Sequence, residues 1–423
     1  MTAPPLKDDC FALPPGVDWT PVEDALAVLR NGLAPVTEAE TLRLTAATGR
    51  VLSAPVTARR AHPAAANSAV DGYGFAATHL PAPVQDIHTL PLHPGRAAAG
   101  APFETAVPPG RALRVLTGAA LPAGVDTVVL DEDVTRDGAA LRFRTGVKPG
   151  ANCRAAGEDT AAGATVLQPG RRLRAPDLAL AAAVGVGEVS VRRPLRVAIL
   201  STGDELAAPG TATPAAPHRM YDANRPMLRA LLERWGIEVL DLGIAPDDRP
   251  AVHAALARGR AEAHAVIASG GASAGDEDHV AAVLHDAGVL HTWRIAVKPG
   301  RPLALANWDG VPIFGLPGNP VAAFVCALIF ARPALSVLAG ETWPAPLAFT
   351  VPAAFSKRKK PGRREYLRAR LDAAGAAEVF ASEGSGRVSG IAWAQGLVEL
   401  PDGGLTVSPG DPVRFLPYAG FGL

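Results

Sequence analysis

From residue 195 onward the chain alternates apolar runs with amphipathic segments, and that alternation restricts the fold more than any other feature. The stretch "LRVAILSTG" (195–203) is an unbroken apolar run that ends in small polar residues. A helix is expected over 224–235, where Met227, Leu228, Leu231, Leu232 and Trp235 share one side and Gly236 follows. Next, "IEVLDLGI" reads as a strand, "RPAVHAALARGRAEA" as a helix, "HAVIASG" as a strand and "DEDHVAAVLHDAG" as a helix. "TWRIAVKPG", "RPLALANW" and "VPIFGLPG" read as further strands before a helix that begins at Asn319-Pro320. Strands apolar on both faces and separated by helices imply a mostly parallel sheet covered on both sides.

The flanking regions differ. Thr20-Pro21-Val22-Glu23 carries a capping-box pattern with proline at the first helical position, and Val22, Ala25, Leu26 and Leu29 give an apolar face that ends at Asn31-Gly32. Residues 60–145 turn to prolines, glycines and short β-rich runs such as "ALRVLTG" and "DTVVLDEDV", the signature of an inserted β domain. Beyond "AGETWPAP" short strands separated by turn residues suggest a small all-β domain. At 423 residues the chain exceeds one ordinary core. The expected boundaries are 1–59 and 146–193 for a first domain, 60–145 for its insertion, 194–340 for the α/β domain and 341–423 for the last. The expected fold class is therefore α/β plus β: an elongated multidomain chain with a doubly wound, mostly parallel α/β domain, a β-rich inserted domain and a C-terminal small β-barrel-like domain.

Charge narrows the function. Lys+Arg and Asp+Glu both number 41, so no global field draws in nucleic acid or an acidic membrane, and neither is an expected partner. Cys10, Cys153 and Cys326 lie far apart without a C-x-x-C pair, which suits a reducing compartment. No apolar h-region follows the first residues, and the apolar run 321–331 is expected to stop at Arg332-Pro333, too short for a bilayer. A soluble, cytoplasmic protein is expected.

In an open parallel sheet, ligands bind beyond the carboxyl ends of the strands. Here those ends lead into "STGDEL", "APDD", "SGGASAGDED" and "GLPGNP", which would gather Asp204, Glu205, Asp247, Asp248, Asp276, Glu277 and Asp278 on one edge. Small residues such as Ser269, Gly270, Gly271, Ser273 and Gly275, and the Pro317-Gly318-Asn319 turn, leave backbone N–H groups open to an anion. Carboxylates beside them would hold Mg²⁺ bridging to phosphate oxygens. Any one such acid is ordinarily a helix cap, and the functional reading draws on four loops together. A P-loop is absent, as is G-x-G-x-x-G at a strand–helix turn. "VKPGRP" adds Lys298 and Arg301, which suit either an anion or a solvated turn. "SKRKKPGRREYLRAR" (356–370) reads as a solvated basic face or a funnel for a small, highly charged anion. His79, His88 and His93 fit no zinc spacing.

The motifs "NSAVDGYGF", "TGAALPAGVDTVV", "AAGEDTAAG", "STGDEL", "YDANRPML", "LGIAPDD", "SGGASAGDEDHV", "VKPGRPLALA" and "GLPGNP" follow one another in the order seen in the molybdopterin molybdenumtransferases. The chain resembles these MoeA-type enzymes, also found as the E region of gephyrin, over nearly its whole length. The resemblance implies a homodimer that inserts molybdate into adenylylated molybdopterin with Mg²⁺ and releases AMP and molybdenum cofactor. It also implies that each cleft is shared between two subunits, and that the protein meets the molybdopterin adenylyltransferase and molybdoenzyme chaperones transiently. By resemblance, Asp71, Thr117, Asp159, Glu205, Asp248 and Asp278 match catalytic positions, with Glu205, Asp248 and Asp278 toward the metal. Lys298, Arg301 and Pro302 match the anion-binding turn, and Arg368 and Ser389 a molybdate pocket. Arg301 stands where the family usually has a second lysine, Ala322 where a serine is common, and Gly390 follows Ser389 where a second serine is frequent. "SGGASAG" replaces the usual "SGGVSVG". Two other readings stay open: a gephyrin-like scaffold without turnover, and a generic nucleotide-binding module.

Overall fold

The computed structural model of the chain describes residues 19–210, 216–271, 279–288, 290–300 and 302–423. They form two compact units, one of 192–423 with 19–40 and 49–53, the other of 41–48 with 54–191.

In the first unit a six-stranded sheet runs in the order Glu238–Ala245, Arg196–Thr202, Ala265–Ser269, Val311–Leu316, Pro302–Trp308, Leu290–Arg294. The first four are mutually parallel, and Pro302–Trp308 runs antiparallel to both of its neighbours. Strand alternation splits the apolar runs between two cores. Val197, Ile199, Ile267 and Phe314 pack with Leu228, Leu231 and Leu232 of the helix Asn224–Arg234. Ala198, Leu200, Val266 and Ile313 pack with Val252 and Leu256 of Arg249–Glu262 and with Val280 and Leu284 of His279–Asp286. Both faces are covered, which is why these strands read as continuous apolar runs.

Two local expectations are corrected. The helix Val22–Gly32 starts after Pro21 without a side-chain cap, because Thr20 is taken up as a β-bridge residue. Its N–H donates to the Arg294 carbonyl at 2.8 Å and its carbonyl accepts from Ala296 N–H at 2.8 Å. Glu23 instead pairs with Arg364 at 2.5 Å. Val22, Ala25 and Leu29 join the core beneath the α/β sheet, so this helix packs with the α/β unit. The apolar run does not stop at Arg332-Pro333: a helix runs on from Pro320 to Leu338 through a π-helical stretch, Ala327–Ala331. That stretch lies just ahead of the proline, where the regular i→i−4 ladder loses a donor. The helix is long and apolar enough to cross a membrane, yet 89% of it is buried inside the protein, as in a core helix. Arg332 stacks on Trp235, its guanidinium carbon 5.3 Å from the ring centroid.

The C-terminal sheet is ordered Val297–Lys298, Arg364–Leu371, Gly396–Leu400, Pro412–Pro417, Phe349–Pro352, with Ala377–Val379 beside Arg364–Leu371. Its first member belongs to the "VKPG" turn, and the parallel register sets Lys298 opposite Glu365.

The second unit holds a six-stranded sheet in the order Thr127–Leu130, Gly72–Phe75, Ala112–Val115, Ile87–Ala97, Ala140–Arg144, Val134–Asp137. Here the helix Ala175–Ala183 is held by Asp177, 3% exposed, whose carboxylate accepts from Arg171 Nε at 2.8 Å and from the Arg174 N–H at 2.9 Å. Burial pushes this carboxyl up, but those two bonds and both guanidinium charges outweigh it and hold it below its ordinary value. A carboxylate depressed in the native state stabilises the fold above its unfolded pKa of about 3.9 and stops doing so as pH falls through the native value. Asp177→Ala is therefore expected to cost about 2 kcal/mol at pH 7. Thermal melts should show the gap between variant and wild type shrinking below the unfolded pKa.

Candidate active site

The loops after the parallel strands open onto a cavity of about 940 Å³. Glu205, Ser269, Gly270, Gly271, Lys298, Pro317, Gly318 and Asn319 all line it, so carboxylate, small-residue backbone and lysine share one space. The first two loops clasp each other: Asp204 N–H donates to Asp247 Oδ2 at 3.0 Å, and Asp247 N–H donates to Asp204 Oδ1 at 3.2 Å. Asp247 faces the cavity. Asp248 is exposed and caps the helix Arg249–Glu262, accepting from Ala251 N–H at 3.0 Å. The sequence held a signal for that division, because the acid directly before Arg249-Pro250 is the one placed to cap. Asn224 Nδ2 donates to the Gly318 carbonyl at 2.7 Å and ties "YDAN" to "GLPGNP".

Two glycines are required by geometry. Gly270 has φ +96°, and a Cβ there would sit 2.6 Å from the Thr202 carbonyl oxygen. Gly300 has φ +121°, and its Cβ would sit 2.5 Å from Cys326 Sγ. Cys326 is thus packing beneath the lysine turn, its thiol pushed up to about 12 by burial.

The basic run 356–370 is not a solvated face. Strand alternation leaves Arg358 exposed and turns Lys357, Lys359, Arg364 and Arg368 inward, where they take internal partners. Lys359, 3% exposed, donates to the carbonyls of Lys360, Asp402 and Gly403 at 3.0, 3.3 and 2.9 Å. Arg364 pairs with Asp402 at 2.9 Å, and Arg370 with Glu378 at 2.9 Å. Lys357 meets Glu365 at 3.1 Å and also bonds Glu383. Arg368, 4% exposed, donates to the carbonyls of Arg387 at 2.8 Å, Gly384 at 3.2 Å and Ser382, with its guanidinium 5.0 Å from the Phe380 ring centroid. It lines a second, smaller cavity of about 190 Å³ with Lys298, Lys357 and Glu383. Ser389 is exposed and begins the helix Ser389–Trp393. A Cβ at Gly390 would lie 2.6 Å from Arg368 Nη1, so glycine there leaves room for the guanidinium.

In the other unit the Asp71 carboxylate accepts from both the N–H and the hydroxyl of Thr117, each at 2.7 Å. The hydroxyl first and the N–H second hold Asp71 below its ordinary carboxyl range. Asp159 is exposed, its N–H donating to the His62 carbonyl at 3.2 Å. Ser273, Gly275, Asp278 and Arg301 lie outside the described residues, as do Asp276 and Glu277. Pro302 opens the strand Pro302–Trp308. No motif links Glu383 or Glu365 to Lys298: Glu365 reaches it through the sheet register and Glu383 from a loop, while Lys357, part of the basic run read as an anion funnel, joins them there.

Residues 20–185 match the MoeA N-terminal region (domain I and II), 198–337 the probable molybdopterin binding domain and 350–418 the MoeA C-terminal region (domain IV). The molybdopterin molybdenumtransferase of Haemophilus influenzae is 36% identical over 334 residues, covering 78% of this chain and 81% of its own. The chain belongs to the molybdopterin molybdenumtransferase family. Molybdopterin molybdenumtransferase 2 of Mycobacterium tuberculosis is 34% identical over 88% of this chain and 94% of its own. The crystal structure of the molybdopterin biosynthesis moeA protein from Pyrococcus horikoshii OT3 superposes with a TM-score of 0.82 at 26% identity, covering 95% of this chain and 100% of that one. Membership in this molybdopterin molybdenumtransferase family makes the chain a transferase of molybdenum cofactor biosynthesis.

Proposed function

We propose that the protein inserts molybdate into adenylylated molybdopterin with Mg²⁺-dependent release of AMP. The observation that carries this reading is the 940 Å³ cavity, in which Glu205 and Asp247 stand with Lys298 beside a loop of small residues. Lys298 offers positive charge to a phosphate or an oxyanion, and Ser269, Gly270 and Gly271 let backbone approach closely. The donor chemistry fits the metal. Glu205 and Asp247 present hard carboxylate oxygens, and Mg²⁺ is commonly held by one or two carboxylates together with substrate phosphates. Asp278, from the adjoining loop, is assigned the same task by the resemblance. Among the described residues no group of three or more metal-ligating side chains is gathered. When bound, Mg²⁺ supplies positive charge at the pyrophosphate oxygens. The test is reconstitution: purified protein, adenylylated molybdopterin, Mg²⁺ and molybdate should yield AMP and active cofactor. Binding of the pterin without AMP release would favour the scaffold reading instead.

We also take the assembly to be a homodimer with each site built from both chains. Support comes from the resemblance, which assigns to one shared cleft residues that lie in separate compact units, Asp71 and Thr117 in one and Glu205 in the other. Asp71→Asn and Glu205→Gln homodimers are each expected to be poorly active. Purified mixed dimers of the two should recover up to about half of normal turnover, since two-fold symmetry leaves one cleft wild type. Mixed dimers as inactive as either parent would place each site within one chain.

A further inference from the structure

Two lysines and two glutamates meet where the "VKPG" turn joins the C-terminal sheet. Lys298 Nζ lies 2.7 Å from Glu383 Oε2 and 3.6 Å from Glu365 Oε1. Lys357 Nζ lies 3.1 Å from Glu365 Oε2 and bonds Glu383 Oε1. The Glu383 carboxylate therefore spans both lysines, one oxygen to each.

The two glutamates are not equivalent. Glu365 is 8% exposed and fixed by the strand Arg364–Leu371, whose register sets it opposite Lys298. Glu383 is 43% exposed and stands on the loop between Ala377–Val379 and Ser389–Trp393. Arg368 pins that loop by the backbone carbonyls of Ser382, Gly384 and Arg387, so the Glu383 side chain can turn away while its main chain stays in place. Glu383 also lines both cavities, the large one and the 190 Å³ one that Lys298, Lys357 and Arg368 share. Counting these four side chains, two positive charges meet two negative ones, and the neutral set offers a dianion little net attraction. With the Glu383 carboxylate turned out, one net positive charge and two lysine ammonium groups face the smaller cavity.

We propose that the Glu383 carboxylate is an internal stand-in for the oxyanion, seated on Lys298 and Lys357, and that its displacement sets the affinity for molybdate. Lys357 is then a second gripping lysine, and Glu383 a specificity-determining residue. A monoanion with two oxygens gives way to a tetrahedral dianion, which carries more charge and more acceptors, whereas weakly charged anions do not displace it. Burial raises the Glu383 carboxyl, but the two lysine bonds hold it below its ordinary range, as expected for an ionised competitor. The inference rests on the oxyanion reading above.

The test is equilibrium dialysis of the full chain against molybdate, for wild type, Glu383→Gln, Lys357→Ala and the double variant. Glu383→Gln keeps shape and removes charge, and it is expected to bind molybdate at least about tenfold more tightly. Lys357→Ala should weaken binding, and the gain from Glu383→Gln should shrink in its background, since the two residues are in direct contact. Melting temperatures check that each variant is folded, and a merely disordered loop would lower affinity rather than raise it. Molybdate bound by wild type but no more tightly by Glu383→Gln overturns this inference and leaves the proposed reaction standing. No molybdate binding by any of the four, together with no AMP release, overturns the reaction and this inference with it.

Discussion

Arg368→Ala is expected to raise the molybdate concentration for half-maximal insertion by at least about 100-fold, the equivalent of roughly 3 kcal/mol. The guanidinium is 4% exposed and is the donor for three loop carbonyls, those of Ser382, Gly384 and Arg387. A hydrogen bond from a charged donor contributes about 1.5–3 kcal/mol, so losing three of them frees the loop that leads to Ser389 and also removes a positive charge from the smaller cavity. Arg368→Lys should rescue little, because one ammonium cannot reach carbonyls arranged around a planar fork. The molybdate dependence of AMP release measures this directly. Pterin affinity, read by quenching or dialysis, should change less, since Arg368 lines the smaller cavity and not the larger one. Equal losses in both affinities would show that Arg368 supports the whole cleft rather than the oxyanion pocket.

Gly270→Val should be the most disruptive single change at the large cavity. The new Cβ would meet the Thr202 carbonyl oxygen at 2.6 Å and Thr202 Oγ1 at 2.8 Å, in a backbone conformation of φ +96° that β-branched residues avoid. Strain of about 1–3 kcal/mol and overpacking of about 1–3 kcal/mol add to an expected loss near 4 kcal/mol. Relief requires the first and third loops to part, and Thr202 and Gly270 both line the cavity, so AMP release should fall with stability. Thermal melting with a turnover assay on the soluble fraction tests both effects. A variant that melts and turns over like wild type would mean the loop at 270 is not held against Thr202.

The apolar runs identified the strands Arg196–Thr202, Ala265–Ser269 and Val311–Leu316, because a strand buried on both faces leaves an unbroken apolar stretch in the sequence. The carboxyl-end rule then pointed to the loops bearing Glu205, Ser269, Gly270 and Asn319, all of which line one cavity. Less was legible where the answer depended on competition for a group. Thr20 carries the pattern of a cap but is drawn into a β-bridge with Ile295, and a local motif holds no record of that distant segment. Pro333 reads as a helix stop, yet the buried surroundings of Pro320–Leu338 carry the helix past it.

The order of strands and helices, the edge to which the small-residue loops lead, and the family were legible from periodicity and from motifs within a few residues. Which charges meet was decided by packing. Lys298 and Glu383 are 85 positions apart, and Glu365 reaches Lys298 through a parallel register between segments that no local pattern connects. The basic run around 356–370 likewise looked solvent-facing until packing gave Lys359, Arg364 and Arg368 internal partners. The physical reason is range: backbone preference and apolar period act over one or two turns of chain, whereas ion pairing and desolvation depend on distances in space that exist only after the sheets have packed.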